Sequence, residues 1–201
     1  MKSLPQEVIE EFPDLHIKDY TITGVVGEGG QGVVLQLEKE GQLYTGKVVH
    51  RTWSLTPWIE ELRVLRRGVE LSQVLDHPSI QKVTEVIDEQ DKRRFVVVKP
   101  YAQGRSLREM IDVQRIIPTE KLIDILDKTL SALAYLHDGA QHPSLNAVYH
   151  MDIKADHIIV GDDGNITLID LDTAKPSGGK TTQYTAVGTR IYAAPESLLG
   201  T

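Results

Sequence analysis

The chain has 201 residues, 40% of them apolar, which is enough to bury a core and leads us to expect one globular domain, single-lobed or bilobed. With 29 acidic against 22 basic residues the net charge is -7, which argues against a nucleic-acid groove or an anionic membrane surface as partner, since both need a basic excess to neutralise phosphate. There is no cysteine, hence no disulfide staple and no thiolate metal site, and a cytoplasmic location is expected.

Met1 to His16 is acidic and broken by Pro5 and Pro13; it lacks the features of a signal peptide, and no apolar run in the chain reaches the ~20 residues of a membrane helix. Residues 1–19 are read as an N-terminal extension. From Tyr20 to Lys99, short β-branched runs predict five strands: Tyr20-Val26, Val33-Glu38, Leu43-His50, Val83-Asp88 and Phe95-Lys99. One helix, about Pro57 to Leu75, interrupts them, because Trp58, Leu62, Leu65 and Val69 recur at helical spacing until Asp76-His77-Pro78 stops the pattern. Beyond Gly104 the pattern turns helical, with a short helix at Ser106-Asp112 and a longer one at Thr119-His137. The longer helix carries Leu122, Ile125, Leu126, Leu130, Leu133 and Leu136 on one face, a stripe expected to be core. Two strand-like pieces, His157-Val160 and Ile166-Ile169, follow, joined by the turn Gly161-Asp162-Asp163-Gly164.

Five segments in this frame carry chemistry. Gly27-Glu28-Gly29-Gly30-Gln31-Gly32-Val33-Val34 lies between two predicted strands, and glycines there let backbone N–H groups approach phosphate. Lys47 lies in the next strand, Tyr44-Thr45-Gly46-Lys47-Val48-Val49. His150-Met151-Asp152-Ile153-Lys154-Ala155-Asp156-His157 precedes a short strand, and Leu168-Ile169-Asp170-Leu171-Asp172 follows it. Val187-Gly188-Thr189-Arg190-Ile191-Tyr192-Ala193-Ala194-Pro195-Glu196 comes last.

In order and in context these segments resemble the protein kinase catalytic domain, in its Ser/Thr-directed form, over roughly Tyr20 to Glu196. The resemblance implies an α+β bilobal fold: an N-lobe antiparallel sheet plus one helix over residues 20–99, then a hinge and an incomplete helical C-lobe over 100–201. It implies ATP with Mg²⁺, or Mn²⁺, as cofactors, and transfer of phosphate to Ser/Thr hydroxyls of a protein substrate. Gly27, Gly29 and Gly32 would cover the phosphates, Val34 would pack on adenine, and Lys47 would hold the α- and β-phosphates. Gly46 would be the small residue under the adenine ring. Pro100 and Ala102 would offer their backbone to adenine, with Lys99 at the gatekeeper position or turned outward. Asp152 would orient the acceptor hydroxyl and take its proton, Lys154 would sit near the γ-phosphate, and Asp170 would hold the metal. Thr181, Thr182, Thr185 and Thr189 are candidate phosphate acceptors.

The chain departs from the family pattern at four places. His157 stands where an asparagine ligates the second metal through its amide oxygen. Met151 replaces an arginine, and Leu171 and Asp172 replace Phe and Gly of the metal-binding segment. Counting back from His77-Pro78 by the family interval reaches Gly68, which cannot pair with Lys47. Glu61, two turns earlier on nearly the same face, is the better candidate, and Glu70 the poorer one. The chain also stops soon after Glu196, which implies either a fragment or a minimal protein whose lower face a protein partner covers. The alternative to an enzyme is a pseudokinase that binds nucleotide or acts as a scaffold.

Overall fold

Alternating side chains along five short runs rich in β-branched residues build the first sheet. The computed structural model of the chain describes residues 15–29, 32–50, 58–89, 94–114, 116–139, 146–177, 189 and 191–193, with the side chains of 50, 58–61 and 64 outside that set. The strands are β1 (Thr21–Gly29), β2 (Gly32–Lys39), β3 (Gln42–His50), β4 (Glu85–Glu89) and β5 (Arg94–Pro100), antiparallel in the order β1-β2-β3-β5-β4. Five strands and their placement agree with the sequence reading. β4 alone starts two residues later than expected, because residues 81–84 run outside any strand.

The register assigns the two faces of this sheet. Val33, Leu35, Leu37, Val48, Val96 and Val98 lie at most 1% exposed on one face, covered by Ile17 and Tyr20 from the segment before β1. At ~1.5–3 kcal/mol for each fully buried aliphatic side chain, that face supplies the main driving force for the sheet. The opposite face carries Val34, Lys47 and Val97, which are direct cross-strand partners. The chain divides by its contacts into two units, Met1–Arg63 with Val83–Tyr101, and Val64–Lys82 with Ala102–Thr201, the boundary falling inside helix α1 (Trp58–Val74).

The second unit holds most of α1, then β6 (Arg105–Ser106), α2 (Leu107–Gln114), α3 (Thr119–His137), β7 (Val148–Tyr149), a 3₁₀ turn (Ala155–His157), β8 (Ile158–Val160), β9 (Ile166–Leu168), a second 3₁₀ turn (Leu171–Thr173) and β10 (Lys175–Pro176). β6, β8 and β9 form one small sheet, and β7 pairs with β10. α2 begins on a capping box: the Glu109 N–H donates to Ser106 Oγ at 3.1 Å, and the Ser106 N–H donates to Glu109 Oε2 at 3.0 Å. Leu71, Leu75, Ile125, Ala132, Leu136, Val148 and Leu168 form the core of this unit.

One expectation about α3 needs correction. Ile125 and Leu136 are fully buried and Leu133 packs against the core, but Leu126 is 46% and Leu130 62% exposed. The buried line instead runs Ile125, Thr129, Ala132, Leu136, and Thr129 satisfies its hydroxyl by donating to the Ile125 carbonyl at 2.7 Å. Leu126 and Leu130 lie to one side of that line, where the wide apolar stripe exceeds the contact surface.

Candidate active site

Two strand pairs bring the aspartate-bearing loops together. β7 pairs with β10 (Tyr149 opposite Lys175) and β8 with β9 (Ile158 opposite Leu168), so the segments 150–157 and 169–174 leave the strands side by side. His150, 2% exposed, ties them: its Nε2–H donates to the Ile169 carbonyl at 3.0 Å, and its Nδ1 accepts the Asp152 N–H at 3.3 Å. The Thr173 hydroxyl donates to the His150 carbonyl at 3.2 Å. Both ring nitrogens are therefore matched by a neutral imidazole, and burial pushes the His150 pKa down, only partly opposed by the Ile169 carbonyl. The sequence reading quoted His150 but gave it no role; its spacing from Asp152 was the available signal.

This clamp holds two strained residues. Met151 and Asp170 adopt left-handed φ values of 70° and 64°. For non-glycine residues such conformations cost ~1–2 kcal/mol each, so the neighbouring hydrogen bonds must over-determine them.

Around Asp152 the polar contacts are dense. Thr189 donates its N–H to Asp152 Oδ1 at 2.7 Å, and Lys154 Nζ donates to Thr189 Oγ1 at 2.9 Å while lying 3.3 Å from Asp152 Oδ2. Burial pushes the Asp152 carboxyl up, but the Thr189 hydroxyl and amide, with His157 and Lys154 nearby, outweigh it and hold the pKa below the usual carboxylate value. His157, 8% exposed, donates Nδ1–H to the Asp152 carbonyl at 2.8 Å, and its Nε2 is 3.4 Å from Asp170 Oδ2. One ligating atom each from Asp152, His157 and Asp170 lies within 4.8 Å of the others. Two carboxylates and an imidazole suit a divalent cation as a donor set.

In the first unit the glycine segment forms the β1–β2 hairpin, with Gly27 opposite Val34 and Gly29 opposite Gly32. Gly32 has φ 140°, and a Cβ there would lie 2.1 Å from the Val48 carbonyl oxygen, so no other residue fits against β3. A Cβ at Gly27 would meet nothing within 4 Å. Lys47 shares its sheet face with Val34. Two details of the sequence reading are corrected by register. Gly46 lies on the opposite face from Lys47, where a Cβ would meet Leu37 Cδ1 at 2.7 Å, and it is Thr45 that shares the Lys47 face. Lys99 is not turned outward: it is 6% exposed and faces the same side as its cross-strand partner Thr45. Pro100 ends β5 opposite Tyr44, and Ala102, half-buried, belongs to the second unit.

Glu61 lies in α1, but its side chain is outside the described residues, as are Thr181, Thr182, Thr185, Pro195 and Glu196. Glu70 is exposed. Gly68 is buried in the second unit, where a Cβ would come within 2.7 Å of the Asp172 carbonyl oxygen and 2.8 Å of that of Leu171. Helix α1 thus lies directly on the 3₁₀ turn that follows Asp170.

Among the described residues no helix is long and apolar enough to cross a membrane. Residues 20–201 match the protein kinase domain. The chain is 30% identical over 196 residues to a probable serine/threonine-protein kinase, fhkD, of Dictyostelium discoideum, covering 93% of this chain and 25% of that protein. It is 28% identical over 184 residues to the serine/threonine-protein kinase TIO of Arabidopsis thaliana, covering 90% of this chain and 13% of that protein. With the serine/threonine-protein kinase PrkC of Bacillus subtilis it shares 28% identity over 143 residues, 70% of this chain and 21% of that protein. The chain therefore spans a quarter or less of these three relatives. A kinase-type arrangement of loops and a match across nearly the whole sequence agree, and the chain belongs to the protein kinase domain family.

Proposed function

We propose that this chain transfers the γ-phosphoryl group of ATP to serine or threonine hydroxyls of a protein substrate, in the cytoplasm. The observation that carries the reading is the Asp152, Lys154 and Thr189 cluster, a carboxylate held ionised beside an ammonium by an amide and a hydroxyl. Phosphoryl transfer asks mainly for in-line positioning and charge neutralisation, with little covalent work by the protein. In this reading Asp152 orients the acceptor hydroxyl and takes its proton, and Lys154 neutralises charge on the γ-phosphate. Lys47 holds the α- and β-phosphates under the Gly27, Gly29 and Gly32 hairpin, Val34 packs on adenine, and Pro100 and Ala102 offer it their backbone groups. Glu61 pairs with Lys47. Asp170 and His157 would hold a divalent cation, which would supply charge neutralisation for the phosphates.

The test is transfer from labelled ATP to the chain itself or to a generic peptide with Mg²⁺ or Mn²⁺, wild type against Asp152→Ala. A loss of at least ~100-fold in the variant, with nucleotide binding kept, is expected for a positioned base. ATP binding without transfer under either metal would mark the chain as a nucleotide-binding module instead.

A further inference from the structure

We infer that His157 makes the metal site of this chain selective for a divalent cation that accepts nitrogen, with Mn²⁺ favoured over Mg²⁺, through a direct bond from His157 Nε2 to the cation held by Asp170. This rests on the phosphoryl-transfer reading for the role of the cation, but the geometry stands by itself.

The Asp152 carbonyl can only accept, so the 2.8 Å contact to His157 Nδ1 fixes the proton on that nitrogen. In the neutral ring the lone pair is then on Nε2, and Nε2 faces Asp170 Oδ2 at 3.4 Å. That separation is too long for a charge-assisted hydrogen bond, which is ~2.7–2.9 Å. It fits two ligands of one ion: with bonds of about 2.1 Å, neighbouring ligand atoms lie about 3.0 Å apart at a right angle and about 3.4 Å at a tetrahedral angle. The ring is 8% exposed and fixed at its other nitrogen, which is how ligating histidines are oriented. Mg²⁺ demands near-ideal octahedral geometry and dehydrates reluctantly, whereas transition-series divalent cations take imidazole more readily. Mn²⁺ also favours oxygen, but it accepts a nitrogen donor more readily than Mg²⁺ does.

The test reads ligation directly. The full chain, with its histidines ¹⁵N-labelled, is mixed with Mn²⁺ and the β,γ-methylene analogue of ATP, and the electron-spin-echo modulation of bound Mn²⁺ is recorded. A ¹⁵N coupling in the wild type, absent from His157→Asn, is expected, together with at least a ~10-fold fall in the Mg²⁺ needed to displace Mn²⁺ from the variant. Bound Mn²⁺ with no ¹⁵N coupling in the wild type would overturn the inference without needing any variant to fold. So would a coupling that persists in His157→Asn, or an unchanged Mg²⁺ competition. Coupling present but no phosphoryl transfer with either metal would sink the enzymatic reading and leave this one standing.

Discussion

Gly68→Ala distinguishes two accounts of helix α1 by the sign of its effect. At a helix position free of close neighbours, replacing glycine by alanine stabilises by ~0.5–1 kcal/mol, because glycine gives up more backbone freedom on folding. Here the new methyl would sit 2.7 Å from the Asp172 carbonyl oxygen, 2.8 Å from that of Leu171 and 2.9 Å from the Asp172 carbonyl carbon. Those atoms are backbone and cannot rotate away, so the helix and the 3₁₀ turn must separate by a few tenths of an ångström. Overpacking of this kind costs ~1–3 kcal/mol, which offsets or outweighs the helix gain and leaves a net loss of up to about 2.5 kcal/mol. For a chain of 201 residues this lowers Tm by up to about 10 °C in a thermal melt. Because the displaced turn directly follows Asp170, cation affinity should fall as well. A Gly68→Ala protein that melts higher than wild type would refute the close approach of α1 to this turn.

Three further outcomes are expected. Ser106→Ala and Glu109→Ala should each lower stability by ~1 kcal/mol, and the double variant by less than their sum, because each side chain caps the other's N–H; additive denaturation energies would contradict the reciprocal cap. Thr189→Ala should lower kcat about 10-fold or more, from the ~1.5–3 kcal/mol of a hydrogen bond to a charged group, while Thr189→Ser should restore most of it; equal losses in both would assign the effect to packing of the methyl. His77 accepts the Ser79 N–H on Nδ1 at 3.1 Å, and burial pushes its pKa down. The unfolded chain then binds the proton first, so stability contributed by His77 is intact above the unfolded pKa of ~6.5 and declines as pH falls below it; stability measured between pH 7.5 and 5.5 should lose part of its slope in His77→Asn.

How much of this was legible beforehand depended on whether a residue's meaning lay in spacing or in three-dimensional contact. The five strands and the helices could be read because β-branched runs and helical periodicity are local signals. Strands of two residues, β6, β7 and β10, carry no periodicity, yet the β7–β10 pair, together with β8 and β9, is what brings Asp152 and Asp170 together. The capping box at Ser106 and Glu109 has a local signature, the S-x-x-E pattern ahead of the short helix. Gly46 was placed on the wrong face although the period of two in a strand decides it: a residue adjacent to Lys47 cannot share its side of the sheet. Gly68 was noticed only as a missing carboxylate. Its reason, a backbone carbonyl lying where a side chain would go, exists only after α1 has packed.

The substitution at position 157 replaces one donor–acceptor pair by another. An asparagine side chain offers one face of N–H donors and one carbonyl acceptor. A neutral imidazole offers the same pair, one N–H and one lone pair, on opposite sides of a rigid ring. His157 uses its donor on the Asp152 carbonyl and turns its acceptor to Asp170. The Nδ1–H thereby ties the ring to the loop that carries Asp152. In the proposed metal role, the donor atom offered to a cation is nitrogen where the family pattern has oxygen, so the departure bears on which metal would be held.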